Sequence, residues 1–350
     1  RASVATRVNE NGLIEEVASN VPRLDYSDGG CPSLLLEPTR TNSLLQSNQF
    51  DTTWSASNAT TTSGQIGVGG SLDAWKLESS GSSASFIFQG ISTSVVTTRS
   101  IYAKAGSVNW FSINSGGSQS AYFDLSNGVV GTKSSNIIDA TMESVGDGWY
   151  RCSVEIDSQS NFYIFIANAD NSQSSNNGDS IYIQYAQLEE NSYATSYIKT
   201  VGTAQTRSAD TANGAGDAST FNDSEGVLMA EISALADDGT NRYISLSDGS
   251  TSNRVNIFFD SSNNLRGYYN GLSGSISINI DTTINNKIAF KYKSGDSGFW
   301  VNGVEVATRA DSLSLVGLDS ISLDLGSGSN FYGNTKQIQY FDTALNDSDL

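Results

Sequence analysis

The sequence predicts an all-β protein made of two β-sandwich (jelly-roll) domains in series, with an extended N-terminal segment in front. The chain is polar but weakly charged, with 16% charged residues, 37% hydrophobic residues and 33 glycines among 350 residues. Short apolar runs alternate with Gly, Asn, Asp and Ser turns, which is typical of antiparallel sandwiches, and helical periodicity is nearly absent. The length suffices for two hydrophobic cores.

The N-terminal segment spans residues 1–43 and shows little periodicity beyond one hairpin. Its first 15 residues predict a strand, a turn at Asn11-Gly12 and a second strand. Apolar blocks at 20–26 and 34–42 follow without a clear partner within the segment. We therefore expect an extended or hairpin element ahead of the first domain.

The first sandwich is expected over residues 44–202. Its clearest strand is 162–166, where Phe162, Ile164 and Ile166 share one face and Tyr163 and Phe165 share the other. Further strands are predicted at 101–106, 149–154 and 181–190, with Trp149 in a core position. This alternation indicates sheets with one buried face.

Residues 203–217 are rich in Ala, Gly, Thr and Asp without apolar periodicity, and predict a linker. The second sandwich is expected over 218–350. Its strands are predicted at 227–232, 243–246, 254–259 and 287–292, and its turns at Asp248-Gly249, Asn270-Gly271 and Ser294-Gly295.

The stretch 298–307 predicts a β-hairpin around Asn302-Gly303, because a two-residue type I′ turn needs positive φ at both positions. Such a turn fixes the register of the two strands. The expected cross-strand pairs are Val301 with Val304, Trp300 with Glu305, and Phe299 with Val306. The valines and Phe299 then face a core, and Trp300 lies on the opposite face with Glu305.

This hairpin, "FWVNGVEVA", and the closing stretch "FYGNTKQIQYFDTALNDSDL" resemble the final strands of laminin-G-like, concanavalin A-like lectin domains. Thr335-Lys336 departs from the family pattern by shifting the first apolar position to Ile338. The resemblance covers about residues 226–350. It implies a two-sheet sandwich used mostly for sugar or protein binding.

Three N-terminal blocks, "RASVATRVNENGLI", "NVPRLDY" and "LLLEPTRTN", look like the lead-in of a bacteriophage tail-fibre and virion-appendage family. The blocks "IYAKAG", "GWYR", "AQLEE", "ATSYI" and "TRSAD" further along resemble the same family, with Asn191 where it usually has Gly. The resemblance implies a first domain like a carbohydrate-binding module, a homo-oligomer such as a trimer, or contacts with other virion proteins. It also implies an extracellular place, on a virion or secreted.

Charge and composition exclude several function classes. The formal charge is −18, with 19 basic against 37 acidic residues and no basic cluster, which argues against nucleic acid and anionic membranes as partners. No apolar run approaches the roughly 20 residues that span a bilayer, so no membrane insertion is expected. Histidine is absent, which removes Ser-His-Asp and Cys-His catalysis and the commonest zinc ligand.

No catalytic residue is predicted. Glu155 and Asp157 lie in a stretch similar to the catalytic strand of retaining concanavalin A-like glycosidases, whose two carboxylates share one face about 5 Å apart. The position of the second glutamate is taken by Ser160, so the pair is incomplete. A catalytic domain could still lie outside these 350 residues. Cys31 and Cys152 are far apart in sequence, and a disulfide and two free thiols both remain open.

Sugar binding usually needs flat aromatic faces next to amide, carboxylate or guanidinium groups. The candidates in the second domain are Trp300, Tyr268 and Tyr269, with Arg266, Asn270 and Glu305 as polar neighbours. The candidates in the first domain are Trp54, Trp75, Trp110, Tyr122 and Tyr182. For each ring the alternative is a packed position without ligand contact.

No cofactor is expected, except for a structural Ca²⁺ as an open alternative. Asp and Asn cluster at 170–171, 176–179, 237–238 and at Asp260, and their oxygens suit Ca²⁺. Asx residues of solvated turns give the same pattern.

The first functional hypothesis is a non-catalytic, glycan-binding adhesion portion of a phage-like virion appendage, with cell-surface polysaccharide as partner. One alternative is the carbohydrate-binding portion of a secreted polysaccharide-degrading enzyme. The other is a purely structural virion or assembly protein.

Overall fold

The computed structural model describes residues 1–116, 119–157, 161–326 and 328–350, and builds them from β-strands and two 3₁₀ turns, Val68–Gly70 and Asp347–Asp349. The N-terminal segment contributes five short strands: β1 Ala5–Val8, β2 Ile14–Val17, β3 Leu24–Asp25, β4 Ser33–Leu36 and β5 Arg40–Asn42. The predicted hairpin pairs β1 with β2, and Gly12 has φ of 77° in its turn. The all-β fold class is confirmed.

The first sandwich consists of two six-stranded antiparallel sheets. Its strands are β6 Ser55–Ser57, β7 Ala59–Gln65, β8 Ala74–Ser79, β9 Ser85–Gln89, β10 Thr97–Ala105, β11 Trp110–Asn114, β12 Ser120–Asp124, β13 Val129–Lys133, β14 Ile137–Ser144, β15 Trp149–Ile156, β16 Phe162–Ala167 and β17 Ser180–Glu189. The sheet orders are β14-β15-β10-β17-β8-β7 and β13-β12-β11-β16-β9-β6. Phe162, Ile164 and Ile166 point into the core, as their alternation predicts.

The second sandwich packs a seven-stranded sheet on a five-stranded one. Its strands are β19 Glu225–Ala234, β20 Arg242–Ser247, β21 Arg254–Phe259, β22 Asn264–Tyr269, β23 Ile276–Asn279, β24 Asn286–Lys293, β25 Ser297–Val301, β26 Val304–Arg309, β27 Ser320–Ser322 and β28 Gly333–Phe341, while β18 Gln205–Arg207 pairs with β5. The sheet orders are β26-β25-β24-β19-β28-β4-β3 and β23-β22-β21-β20-β27. The N-terminal strands β3 and β4 thus form one edge of a sheet in the second sandwich.

The hairpin β25–β26 turns at Asn302 and Gly303, with φ of 53° and 78°. Val301 faces Val304 and Trp300 faces Glu305, as predicted. The third pairing was wrong: a β-bulge places Phe299 opposite Ala307, since the bulged strand carries one extra residue.

A second bulge explains the departure at Thr335-Lys336 from the lectin-like pattern. On β28, Thr335 pairs with Ile232 and Gln337 with Glu231, so Lys336 is the extra residue. The inserted residue shifts the alternation that follows, which is why the apolar position falls on Ile338.

A buried ionic cluster joins the N-terminal segment to the stretch that links the sandwiches. Arg23 contacts Glu37 at 2.5 Å and also Asp210, Arg207 contacts Glu37 at 3.0 Å, and Arg1 contacts Asp210 at 3.0 Å. All five side chains are at most 7% exposed. Buried charges persist only when they are paired, so these residues fix the junction between the parts of the chain.

The two cysteines are not bonded to each other: Cys31 is exposed and Cys152 is buried. Within the described ranges, no helix is long and apolar enough to cross a membrane.

Candidate functional site

The tryptophans predicted as ligands in the first sandwich pack inside it. Trp54 and Trp75 are 6% and 8% exposed and contact Phe50 in the core. Their indole N–H groups donate to the carbonyls of Gln46 at 2.9 Å and Asn48 at 3.0 Å. Neither ring has a free face for a sugar. Trp149 is also buried, as expected.

The other three aromatic candidates of the first sandwich differ in burial. Tyr122 is 4% exposed on the outer side of its sheet, while Trp110 and Tyr182 are half-buried. Trp110 stands on β11 and Tyr182 on β17, which belong to different sheets. Trp110 and Tyr182 therefore form no common site, whereas Tyr122 lies on the same face of the same sheet as Trp110.

Two aromatic candidates of the second sandwich are buried. Tyr269 is fully buried against Phe290, with ring centroids 5.8 Å apart. Trp300 is 4% exposed and packs with Leu345 and Leu350 of the final residues, at one side of a groove of about 250 Å³. These positions give both rings a packing role in the structure.

Two of the polar candidates of the second sandwich, Asn270 and Glu305, do not lie in a site with Tyr268. Asn270 donates to the carbonyl of Ser314 at 2.7 Å, so its amide serves a loop contact. Glu305 is exposed on β26 and accepts a bond from Thr308 at 2.6 Å. Because β26 ends the seven-stranded sheet, Glu305 lies on a different sheet from Tyr268 and Arg266.

Tyr268 and Arg266 do come together, on the solvent side of the five-stranded sheet. Leu265 and Tyr269 of the same strand point into the core, so alternation turns Tyr268 and Arg266 outward. The neighbouring strands add four side chains to this side. We call the resulting set the outer face; it consists of Tyr243, Arg254, Asn256, Phe258, Arg266 and Tyr268.

Aromatic rings cover two parts of the outer face. Tyr243 and Phe258 stack with centroids 4.5 Å apart and planes 15° from parallel. The Arg254 guanidinium lies 5.0 Å from the centroid of Tyr268. These stacked groups hold flat surfaces in fixed positions at little entropic cost.

The two arginines of the outer face differ in whether a carboxylate neutralises their charge. The Nε of Arg266 lies 2.5 Å from Oδ2 of Asp260, and its Nη1 donates to Ser275 at 3.0 Å. Burial alone would raise the pKa of Asp260, but N–H donors from Asn264 and Ser262 and the Arg266 charge lower it. Asp260 therefore stays ionised and neutralises Arg266. Arg254 has no ion pair or side-chain hydrogen bond with any residue that the structure describes.

Asn256 lies at the base of the outer face, between Ser245 and Tyr268 in the register. It is fully buried, yet within the described chain neither its amide nitrogen nor its amide oxygen has a hydrogen-bond partner. The Ser245 hydroxyl next to it donates to the Asp324 carbonyl instead. A buried amide with no partner is rare and calls for a water or a ligand.

Sequence reasoning identified two members of the outer face and missed Tyr243, Arg254, Asn256 and Phe258. The signal was present, because strands at 243–246 and 254–259 were predicted correctly. Alternation within "RVNIFF" places Arg254, Asn256 and Phe258 on one side. What the sequence leaves open is which strands are neighbours.

The first sandwich carries a second aromatic surface, on the outer side of the sheet that contains β9 and β16. The ring centroids of Phe86 and Phe165 are 4.5 Å apart, and those of Phe88 and Tyr163 are 4.8 Å apart. The alternation of 162–166 predicted that Tyr163 and Phe165 share a face. This patch is mainly hydrocarbon and, apart from the Tyr163 hydroxyl, its rings offer few hydrogen-bonding groups.

The structure gives no support to a metal or glycosidase site in the part it describes. No group of three or more acidic or cysteine side chains there is placed to hold a metal ion. Asp170 accepts bonds from Thr132, and Asp237 accepts one from Thr282, so both carboxylates make contacts between distant segments of the chain. Glu155 lines a cleft of about 500 Å³ between the sandwiches, where burial and Asp139 raise its pKa. Ser160 lies outside the described residues.

Comparisons with known proteins assign no family. No protein-family model and no curated protein matches the chain. Among solved structures, it is similar to the CBM40 of the Ruminococcus gnavus IT-sialidase, with 15% identity, a TM-score of 0.33 and coverage of 40% of this chain and 91% of that one.

Two further solved structures match over most of the length. A putative carbohydrate binding protein from Bacteroides ovatus has 11% identity and a TM-score of 0.30, covering 83% of this chain and 78% of that one. The mouse laminin alpha1 chain, domains LG4-5, has 10% identity and a TM-score of 0.26, covering 89% of this chain and 92% of that one.

Proposed function

We propose that this protein is a non-catalytic glycan-binding protein, and that the outer face of the five-stranded sheet is its binding surface. The observation that carries the proposal is the unpartnered, fully buried amide of Asn256 among fixed aromatic rings. Sugar hydroxyls both donate and accept hydrogen bonds, which is what an amide with two empty positions requires. The stacked rings supply the apolar contact.

The mechanism follows from the arrangement of the outer face. A pyranose ring packs its C–H side on the Tyr243 and Phe258 pair or on Tyr268. Because Asn256 is fully buried, a sugar hydroxyl bonds its amide only when the side chains that cover it shift aside. Each contact is weak, so a single site binds loosely. Several copies of the chain on one assembly would raise avidity without any new contact.

The biological setting is a finer proposal that rests on the sequence blocks alone. We propose that the protein belongs to a phage-like virion appendage, exposed on a virion surface, where it attaches to host polysaccharide. Several charged residues of those blocks, including Arg1, Arg23, Glu37, Arg207 and Asp210, form the buried ionic cluster. Their roles are architectural, so a secreted polysaccharide-degrading enzyme could use the same architecture for its binding portion.

The test is affinity electrophoresis of the purified chain against bacterial and algal polysaccharides, with assays for reducing ends and unsaturated products on the same samples. We expect saturable retardation without products, abolished by Tyr268→Ala. The matched control is Tyr163→Ala, which removes the same ring from the aromatic surface of the first sandwich. Loss of retardation in the control alone would move the site to the first sandwich.

Two other outcomes would overturn the proposal. Product formation would show an active site and make the protein an enzyme. Absence of retardation by every polysaccharide, together with absence of binding to host cells, would leave a purely structural role.

A further inference from the structure

Arg254 is held in place, but none of the described residues supplies it with a counter-charge. Arg40, Arg151 and Arg309 share with Arg254 the lack of an ion pair among the described residues, but each of them donates a side-chain hydrogen bond to a backbone carbonyl, which Arg254 does not. Arg1, Arg7, Arg23, Arg207, Arg242 and Arg266 all form ion pairs with carboxylates. Arg254 makes none with the described residues, and its Nε is buried without an acceptor.

The neighbours of Arg254 in the sheet are uncharged, which fits the absence of a carboxylate partner among the residues that the structure describes. Its cross-strand partner on β20 is Ser247, and on the other side its carbonyl accepts a bond from Asn270. The side chain lies over Tyr268, which fixes the guanidinium against a flat, apolar surface. A planar fork of donors that is already positioned loses little entropy when an oxyanion binds.

From this arrangement we infer that the outer face selects sugars that carry a carboxylate, with Arg254 pairing with that carboxylate. The inference rests on the proposed function and specifies its substrate class. Arg254 and Asn256 are two residues apart on one strand, roughly 7 Å along it. Arg254 would thus bind the carboxylate of an acidic sugar while Asn256 bonds hydroxyls of the same or the next ring.

The charge of the outer face sets a limit on the ligand. Arg266 is neutralised by Asp260, so the face offers one uncompensated positive charge. The net charge of −18 repels a dense polyanion at long range. One carboxylate per bound unit therefore fits better than clustered sulfates or phosphates.

The experiment compares carboxylated polysaccharides with their carboxyl-reduced forms, which keep the same backbone but lose the charge. The probes are alginate, polygalacturonate, hyaluronan and polysialic acid, each native and reduced, with dextran and galactomannan as neutral polysaccharides. The variants are Arg254→Gln, which keeps donors without charge, and Arg254→Lys, which keeps charge without the planar fork. Arg309→Gln, an exposed arginine on β26, is the matched control.

We expect the unmodified chain to bind at least one native acidic polysaccharide at least 10-fold more tightly than its reduced form. Arg254→Gln should remove that preference, Arg254→Lys should keep part of it, and Arg309→Gln should keep it all. Melting temperatures of all variants show whether a loss of binding is a loss of folding.

The outcomes separate the inference from the function on which it rests. Equal binding of native and reduced forms, or binding of neutral polysaccharides only, would overturn the selectivity and leave glycan binding intact. A preference that survives Arg254→Gln would exclude Arg254 as the carboxylate partner. Absence of binding to every probe would count against both proposals.

Discussion

Asn256 combines a stability cost with a proposed binding role. Leaving a buried polar group without a partner costs about 1–3 kcal/mol. We expect Asn256→Leu, which is similar in size and apolar, to raise the free energy of unfolding by about 1 kcal/mol while abolishing glycan retardation. Urea unfolding and affinity electrophoresis on the same preparation measure the two effects.

Asn264→Leu is the control for this substitution. Its side chain lies beside Asp260, within hydrogen-bonding range of the carboxylate, so removing it should destabilise the protein. If Asn256→Leu destabilised the protein to a similar degree, the Asn256 amide would be satisfied in solution by bound water, and the main support for the site would be lost.

Trp300 shows how far sequence reasoning reaches for a single residue. The hairpin turn fixed the side on which Trp300 lies, and that side is the one observed. The Trp300 ring is covered by Leu345 and Leu350 near the end of the chain and by Lys291, whose Nζ lies 5.5 Å from the ring centroid. The alternation of residues within one strand does not predict which residues distant in sequence will pack on a side chain.

The turn of the hairpin β25–β26 was predicted correctly, although the expectation that Val304 faces a core was wrong, because Val304 lies beside the turn and is 65% exposed. Gly303 has φ of 78°, and an added Cβ would meet no atom within 4 Å. The cost of Gly303→Ala is therefore purely conformational, and we expect a loss of about 1 kcal/mol in the free energy of unfolding. Chemical denaturation measures it.

Two other substitutions in the hairpin calibrate this expectation. Asn302→Ala should cost more than Gly303→Ala, since Asn302 also has positive φ and its side chain accepts a bond from Lys287 at 2.9 Å. Val304→Ala, at a position 65% exposed, should change stability by less than about 0.5 kcal/mol. A Gly303→Ala effect no larger than that of Val304→Ala would contradict the type I′ geometry.

Register could be predicted only as far as regular pairing continues. The bulges at Val306 and Lys336 each shift the pairing by one residue, and neither has a sequence signal as distinct as Asn-Gly. The outer face could not be predicted from the sequence either, because placing Asn256 beside Tyr268 requires knowing that β21 and β22 pair. The division of the chain into domains at 43, 202 and 217 remains a prediction.

At the scale of the whole molecule, the buried ionic cluster ties distant parts of the chain together. Strands β3 and β4 lie in a sheet of the second sandwich, while Ser196, at the end of the first, donates to Glu37 from its N–H at 2.7 Å and its hydroxyl at 2.6 Å. Glu37 therefore connects three segments. Loss of the Glu37 charge should therefore destabilise both sandwiches.

Glu37 should make stability depend on pH. Burial by itself raises the pKa of Glu37, but Arg207, Arg23 and the Ser196 bonds outweigh it and lower the pKa from 4.5 to about 2. Because the folded pKa lies below the unfolded value, this stabilisation is complete above pH 4.5 and is lost as pH falls towards 2. We expect the free energy of unfolding to decline across that window.

Glu37→Gln isolates this contribution. At pH 7 the variant leaves Arg207 buried without its carboxylate and Arg23 with Asp210 alone, which should cost about 3–5 kcal/mol. Near pH 2 the unmodified chain is protonated at Glu37 as well, so the difference between the two proteins should shrink. Urea unfolding at pH 7, 5, 4 and 3 measures it, with the exposed Glu305→Gln as control. A difference that stayed constant from pH 7 to 3 would mean that Glu37 stabilises the junction by packing and hydrogen bonding, and that its charge contributes nothing.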